Sequence, residues 1–163
     1  DIRADIVFTC EVSPMTQALI GLWYAKRYHI PHFLYVQDLW PENVETVTGI
    51  KNRAVIYPID CMVDYIYWGT DQIFTTSKSF VRAIINRKVR VAKEKVHYWP
   101  QYAEEFYRPL DRVEVRKTAG KDSPVRLIPD DSSFKIAFTG NIGTAQGLDV
   151  LPRMAVKLRN CHT

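Results

Sequence analysis

Residues 72–99, QIFTTSKSFVRAIINRKVRVAKEKVHYW, decide the fold. Gln72–Thr75 is short, apolar and β-branched, which reads as a strand. Ser77 follows as a helix N-cap. Phe80, Val81, Ile84 and Ile85 then recur at helical spacing, giving a helix to about Lys88 with those four side chains inward. Val96–Trp99 is strand-like again and is stopped by Pro100. Strand, helix and strand in this order form a βαβ unit, which requires parallel strands.

Upstream, the same alternation repeats. Ile6–Cys10 reads as a strand and Ser13-Pro14 as a helix opening, with Ser13 the N-cap and Pro14 the first helical residue. Leu19, Leu22 and Trp23 supply the apolar positions of that helix, and Lys26 and Arg27 lead to its end near His29. Phe33–Val36 is the second strand, and Gln37–Gly49 reads as a loop. Ala54, Val55, Ile59, Met62, Val63, Ile66 and Tyr67 recur with helical period up to Trp68. Pro58 predicts a kink or late start in that helix, and Gly69 its end. The expectation is an α/β, Rossmann-like parallel sheet flanked by helices.

Residues 101–133 change character. Pro109, Gly120, Pro124 and Pro129 and many charges interrupt any periodicity, so the segment reads as a connection. Residues 134–149, FKIAFTGNIGTAQGLD, start another strand, glycine turn and helix. Glycines there permit positive φ and close approach of backbone to a ligand. Free N–H groups and the partial positive charge of the helix start suit a phosphate. The spacing is neither the dinucleotide nor the P-loop pattern. A plain glycine turn between strand and helix is the alternative reading.

The chain has 163 residues, 47% of them hydrophobic, which is enough for one real core. The net charge of +4 suits anionic ligands or an anionic membrane surface without requiring nucleic acid. No apolar run approaches the ~20 residues of a membrane span, and no signal peptide is visible. Cys10, Cys61 and Cys161 are odd in number and far apart, which argues against a disulfide framework or zinc site and for a reducing compartment. His29, His32, His97 and His162 show no metal-ligand spacing. Both chain ends read as cuts through a longer protein.

In open parallel sheets, ligands bind beyond the carboxyl ends of the strands. Glu11, Asp38 with Glu42, Thr76 with Ser77, and Gln101 fall at those ends. Carboxylates gathered there suit acid–base work; solvated loop or cap residues are the alternative. Asp38 stands out because Leu39-Trp40-Pro41 forms a rigid, partly apolar loop around it. Lys78, Arg82, Arg87, Lys88, Arg90, Lys93 and Lys95 make a basic stretch opposed only by Glu94. It reads as a solvated face, or as a patch for lipid headgroups. Tyr65, Tyr67 and Trp68 add aromatics suited to core or to a membrane interface.

Five segments in order resemble a bacterial family 4 glycosyltransferase. They are Asp5-Ile-Val-Phe-Thr with Ser13-Pro14, Val36-Gln-Asp-Leu-Trp-Pro-Glu42, Asp71-Gln-Ile-Phe-Thr-Thr-Ser77, Trp99-Pro-Gln101, and Phe138-Thr-Gly-Asn-Ile-Gly-Thr-Ala-Gln-Gly-Leu-Asp149. The subgroup resembled is that of surface-polysaccharide (capsule or O-antigen) enzymes similar to the O-antigen fucosamine transferase. The resemblance implies a GT-B fold and retaining transfer from a nucleotide-sugar donor to an acceptor that is lipid-linked or another saccharide. No metal or other cofactor is implied, and no nucleic acid partner.

By the same resemblance, residues 1–100 are most of the acceptor-side domain, 101–133 the interdomain connection, and 134–163 the opening of the donor domain. Gly140, Asn141 and Gly143 match the loop at the donor diphosphate. Asp38, with Gln37 beside it, matches the position that reaches the reacting sugar, and Glu11 a loop on the same cleft wall. The family's first glycine-rich loop would precede Asp1, and its donor-binding basic residues and paired glutamates would follow Thr163. The isolated piece is therefore expected to be inactive. The implied location is the cytoplasm, peripheral on the inner membrane. A GT-B-fold sugar-nucleotide epimerase and a non-catalytic nucleotide- or sugar-binding module are the alternatives.

Overall fold

The computed structural model describes residues 3–89, 91–133, 135–143 and 146–159. They fall into two compact units, 1–101 and 102–163.

The first unit is an α/β sheet of four parallel strands in the order β1-β2-β3-β4. The strands are β1 (Val7–Glu11), β2 (His32–Val36), β3 (Gln72–Thr75) and β4 (Val96–Tyr98). The connecting helices are α1 (Gln17–Tyr28), α2 (Glu42–Thr48), α3 (Arg53–Gly69) and α4 (Lys78–Ile85). Parallel crossovers keep a right-handed sense. Strands laid down in simple sequence order with a constant hand put their helices on one side of the sheet.

The burial pattern shows that side. His32, Leu34, Val36, Ile73, Thr75 and Val96 are buried, and so is Glu11 at the end of β1. They alternate with Phe8, Cys10, Phe33, Tyr35, Phe74 and His97, which are half-buried or exposed. Met15 and Ala18 join Val63, Ile66 and Tyr67 of α3 and Ile84 of α4 over the buried face. The opposite face carries an aromatic cluster. Trp99 lies 5.4 Å from Tyr35, 5.2 Å from Phe74 and 6.2 Å from Phe8, ring centre to ring centre. Phe8 and Trp99 remain about half exposed, at 48% and 50%.

Several boundaries differ from the sequence reading. β1 runs to Glu11, so that residue ends a strand instead of opening a loop. Ser13 is not an N-cap: α1 begins at Gln17 and Thr16 precedes it without a side-chain cap. Ser13 is drawn instead into a contact with Asp38, as described below. The Gln37–Gly49 loop contains α2, ended by Gly49 at φ 71°. Asn52 caps α3 through Ala54 N–H at 3.0 Å. Pro58 is accommodated on the exposed side of α3, where water can take the hydrogen bond that proline cannot make. Gly69 is the last residue of α3, as expected; Lys95 closes that helix by donating to the carbonyls of Tyr67, Trp68 and Thr70 at 2.8, 3.1 and 2.8 Å. Ser77 does cap α4, accepting from Ser79 N–H at 3.2 Å, but α4 ends at Ile85.

In the second unit, α5 (Arg112–Thr118) is capped by Asp111, and Pro124–Leu127 forms a 3-10 turn. Residues 101–133 are therefore not structureless. Arg112 pairs with Asp130 at 3.0 Å and donates to the Pro129 carbonyl. The strand expected at 134–139 is not formed over residues 135–139, and Phe134 lies outside the described residues. A strand is held by its ladder partners, and none is present beside this segment among the described residues. Helix α6 (Val150–Leu158) starts two residues later than the expected Leu148. Its apolar stripe and the side chains of Ile136 and Phe138 line a cavity of about 490 Å³ within this unit.

Candidate functional site

The parallel register brings the ends of β1, β2 and β3 to one edge. Glu11 is paired with Val36, and Val36 with Thr75. Asp38 and Ser77 therefore leave the sheet beside Glu11, as strand-end residues must.

Two loops meet at this edge through Ser13. Its hydroxyl donates to Asp38 Oδ2 at 2.5 Å and accepts from Trp40 Nε1 at 3.2 Å and Asn43 Nδ2 at 2.9 Å. One donor and two acceptor positions are thus filled. The β1–α1 loop is locked to the β2–α2 loop, and the Asp38 carboxylate is oriented by the lock. Beside it, Gln37 Nε2 donates to Cys10 Sγ at 3.1 Å, and Gln101 Nε2 donates to Gln37 Oε1 at 2.9 Å.

Arg87 fixes the same loop from below. Its guanidinium is 9% exposed and pairs with Asp60 and, at 2.5 Å, with Asp64 on α3. A further N–H donates to the Trp40 carbonyl at 3.3 Å. The planar fork of arginine suits this several-partner role.

Glu11 differs from Asp38 in burial and in hydrogen bonding. It has no exposed surface, and neither carboxyl oxygen has a hydrogen-bond partner. Burial pushes its pKa up to about 8; the nearby Asp38 N–H opposes this, the Asp38 negative charge adds to it, and the Gln37 N–H opposes it. Those N–H groups act at a distance, without hydrogen-bond geometry. At neutral pH the group is mostly the neutral acid. The Tyr67 hydroxyl and Gln17 Nε2 are also buried without partners. Burial raises the Tyr67 pKa, and the charge of Glu11 adds to the rise. Unsatisfied buried polar groups are uncommon and concentrate where strain or function requires them.

The other sequence candidates are distributed as follows. Glu42 is exposed in the first turn of α2. Ser77 is occupied as a cap and shares a 2.7 Å hydrogen bond with Ser79. Gly140, Asn141 and Gly143 are exposed in the second unit. Three turn-type bonds, beginning with Gln146 N–H to the Gly143 carbonyl at 3.2 Å, lead from this loop into α6. Gly147, at φ 58°, needs the left-handed freedom of glycine.

The basic stretch does not form one patch. Arg87 and Lys95 are spent inside the fold, as described above. Lys78 lies over the Tyr98 ring at 5.5 Å, and Arg90 falls outside the described residues, as do Cys161 and His162. Among the described residues no cluster of His, Cys, Asp and Glu is arranged to hold a metal ion.

Sequence reasoning placed Arg87 in a basic stretch and missed its internal role, and it missed Asn43 and the role of Ser13. A serine before proline carries the same signature whether it caps a helix or faces a neighbouring loop. Only the β1–β2 register brings Ser13 to Asp38. No protein-family model, curated protein or solved structure gives a significant match to the chain.

Proposed function

We propose that the first unit is the acceptor-side half of a retaining glycosyltransferase that uses a nucleotide-sugar donor. The observation that carries this reading is the carboxyl pair at the sheet edge: Glu11 fully buried with neither oxygen hydrogen-bonded, Asp38 partly exposed and oriented by Ser13. Burial that holds one carboxyl group neutral beside a second, more exposed one is suited to proton management. In the transfer, the acceptor oxygen bonds to the anomeric carbon as the bond to the donor diphosphate breaks. Asp38 takes the acceptor hydroxyl proton. Glu11, neutral, adds no second negative charge beside it. In the second unit, taken by itself, Gly140, Asn141 and Gly143 present exposed backbone, and the resemblance assigns such a loop to a diphosphate, whose charge N–H groups can offset. The motif resemblance to surface-polysaccharide enzymes supports a lipid-linked or saccharide acceptor, and a cytoplasmic location at the inner membrane.

The test is transfer from a panel of nucleotide sugars by the protein that carries this chain. Asp38→Asn is expected to lower the rate by roughly 10²–10⁴-fold, the usual range for a lost acid–base group. An unchanged rate would remove the catalytic assignment. Interconversion of the donor sugar without transfer would replace the transferase by an epimerase.

A further inference from the structure

We infer that the outer face shared by α1 and α3 is a docking surface for an anionic lipid bilayer. On α3, Tyr57, Cys61, Tyr65 and Trp68 follow one another at helical spacing and are all exposed. On α1, Ile20, Trp23 and Arg27 do the same, and Ile20 and Trp23 are 72% and 64% exposed. Lys26 joins the two rows: its ammonium lies 4.6 Å from the Tyr65 ring centre and 5.2 Å from that of Trp68.

The charge pattern selects the occupant. α1 contains no acidic residue. The acids of α3, Asp60 and Asp64, are both engaged by Arg87 on the inner side. Asp71, near Lys26 at the far end, accepts from the His32 backbone N–H at 2.8 Å. The face thus offers tryptophan, tyrosine and cations without an exposed acid of its own helices. Trp and Tyr settle at the headgroup level of a bilayer, and Lys and Arg favour anionic lipid there. A lysine beside large exposed aromatics is unusual for the centre of a protein interface, from which lysine is depleted. No described helix is long and apolar enough to cross a membrane, so the contact is one of lying on the surface. This differs from the basic stretch 78–95, whose Arg87 and Lys95 are used internally.

The assay contains neither donor nor acceptor, so its outcome is independent of the transferase reading. The whole chain is floated with vesicles of phosphatidylcholine, or of phosphatidylcholine with phosphatidylglycerol. Binding is expected to the anionic vesicles and to weaken with salt. Lys26→Glu with Arg27→Glu should weaken it by about tenfold or more, and so should Trp23→Ala with Trp68→Ala. Arg82→Glu with Lys88→Glu should leave it unchanged. All these side chains are outside the core, and melting curves check that the variants fold. In the unmodified chain, anionic vesicles should slow maleimide labelling of Cys61 but not of Cys10, both exposed thiols. The proposal is overturned by absence of binding to anionic vesicles, by loss of binding only in the Arg82/Lys88 variant, or by protection of Cys10 instead of Cys61. Protection of Cys61 without vesicles, in a dimer seen by sedimentation, would also overturn it and assign the face to a second copy.

Discussion

The Ser13 hydroxyl donates to the Asp38 carboxylate at 2.5 Å across the gap between the ends of β1 and β2. The two residues are 25 positions apart, and only the parallel register makes them neighbours. Ser13→Ala removes this bond and the two that the hydroxyl accepts from Trp40 and Asn43, but no core packing. Each such bond is worth about 0.5–1.5 kcal/mol net, and the three partners are exposed enough to turn to water, so a stability loss towards the low end of the sum is expected. If Asp38 handles the acceptor proton, the rate per folded molecule should fall as well. A melting curve and an initial rate on the same preparation separate the two effects.

Glu11 should make the fold less stable as pH rises. Its folded pKa of about 8 lies above the unfolded value of 4.5. Its contribution is therefore full below pH 4.5 and is lost as pH rises towards about 8. Glu11→Gln cannot ionise. Its melting temperature should exceed that of the unmodified chain at pH 8, with the difference shrinking towards pH 4.5. Equal pH profiles for the two proteins would show that Glu11 is ionised in the fold. A more stable variant with slower transfer would mark Glu11 as a group kept for function at a cost in stability.

His32 should act in the opposite direction on the acid side. Its ring is buried between Thr9, at 2.9 Å, and Thr70, at 3.0 Å. Burial lowers its pKa from 6.5, and Asp71 only partly offsets this. The unfolded chain then takes up a proton that the folded ring resists. Stability from this group is complete above pH 6.5 and falls as pH drops below it. His32→Gln should flatten the acid limb of a denaturation midpoint plotted against pH, even if it lowers the curve throughout.

Arg87→Met should cost about 3–5 kcal/mol, because it strands Asp60 and Asp64 without their cation. Removing the carboxylates as well, in a triple variant with Asp60→Asn and Asp64→Asn, should recover part of the loss. Urea midpoints for both variants measure it. An equal loss in single and triple variants would place the energy in the Trp40 carbonyl contact instead.

Gly21→Ala tests how closely α1 approaches the sheet. Inside a helix, alanine is ordinarily favoured over glycine by about 0.5–1 kcal/mol. Here a Cβ would collide with Thr9 Oγ1 and lie 3.1 Å from His32 Nε2 and 3.4 Å from Val7. Overpacking of this kind costs typically 1–3 kcal/mol, so the net sign should be destabilising. A raised melting temperature would show that α1 can move outward.

The strand–helix alternation of residues 5–99 was legible because each element carries its own period. Leu34 and Val36 in β2, and Phe80, Val81, Ile84 and Ile85 in α4, are patterned for one buried side. Residues 135–139 carry the same strand-like composition but form no strand, since pairing depends on a neighbour that local sequence does not contain. The site was half legible. Asp38 and Glu11 could be placed at one edge from topology alone. That Glu11 points under the sheet face covered by α1 and α3, and is therefore neutral, depends on alternation counted back from Val36. A shift of one residue in β1 would have turned it outward.

The single-sided arrangement of α1, α3 and α4 has a consequence for any larger sheet. Strands added beyond β4 in the same winding sense would put their helices on the side already covered. The aromatic cluster around Trp99 can be roofed by helices only if the winding reverses, and the free edge for that is β1. A reversal there opens a crevice at the carboxyl end of β1, because the connections on its two sides diverge to opposite faces. Glu11 is the last residue of that strand.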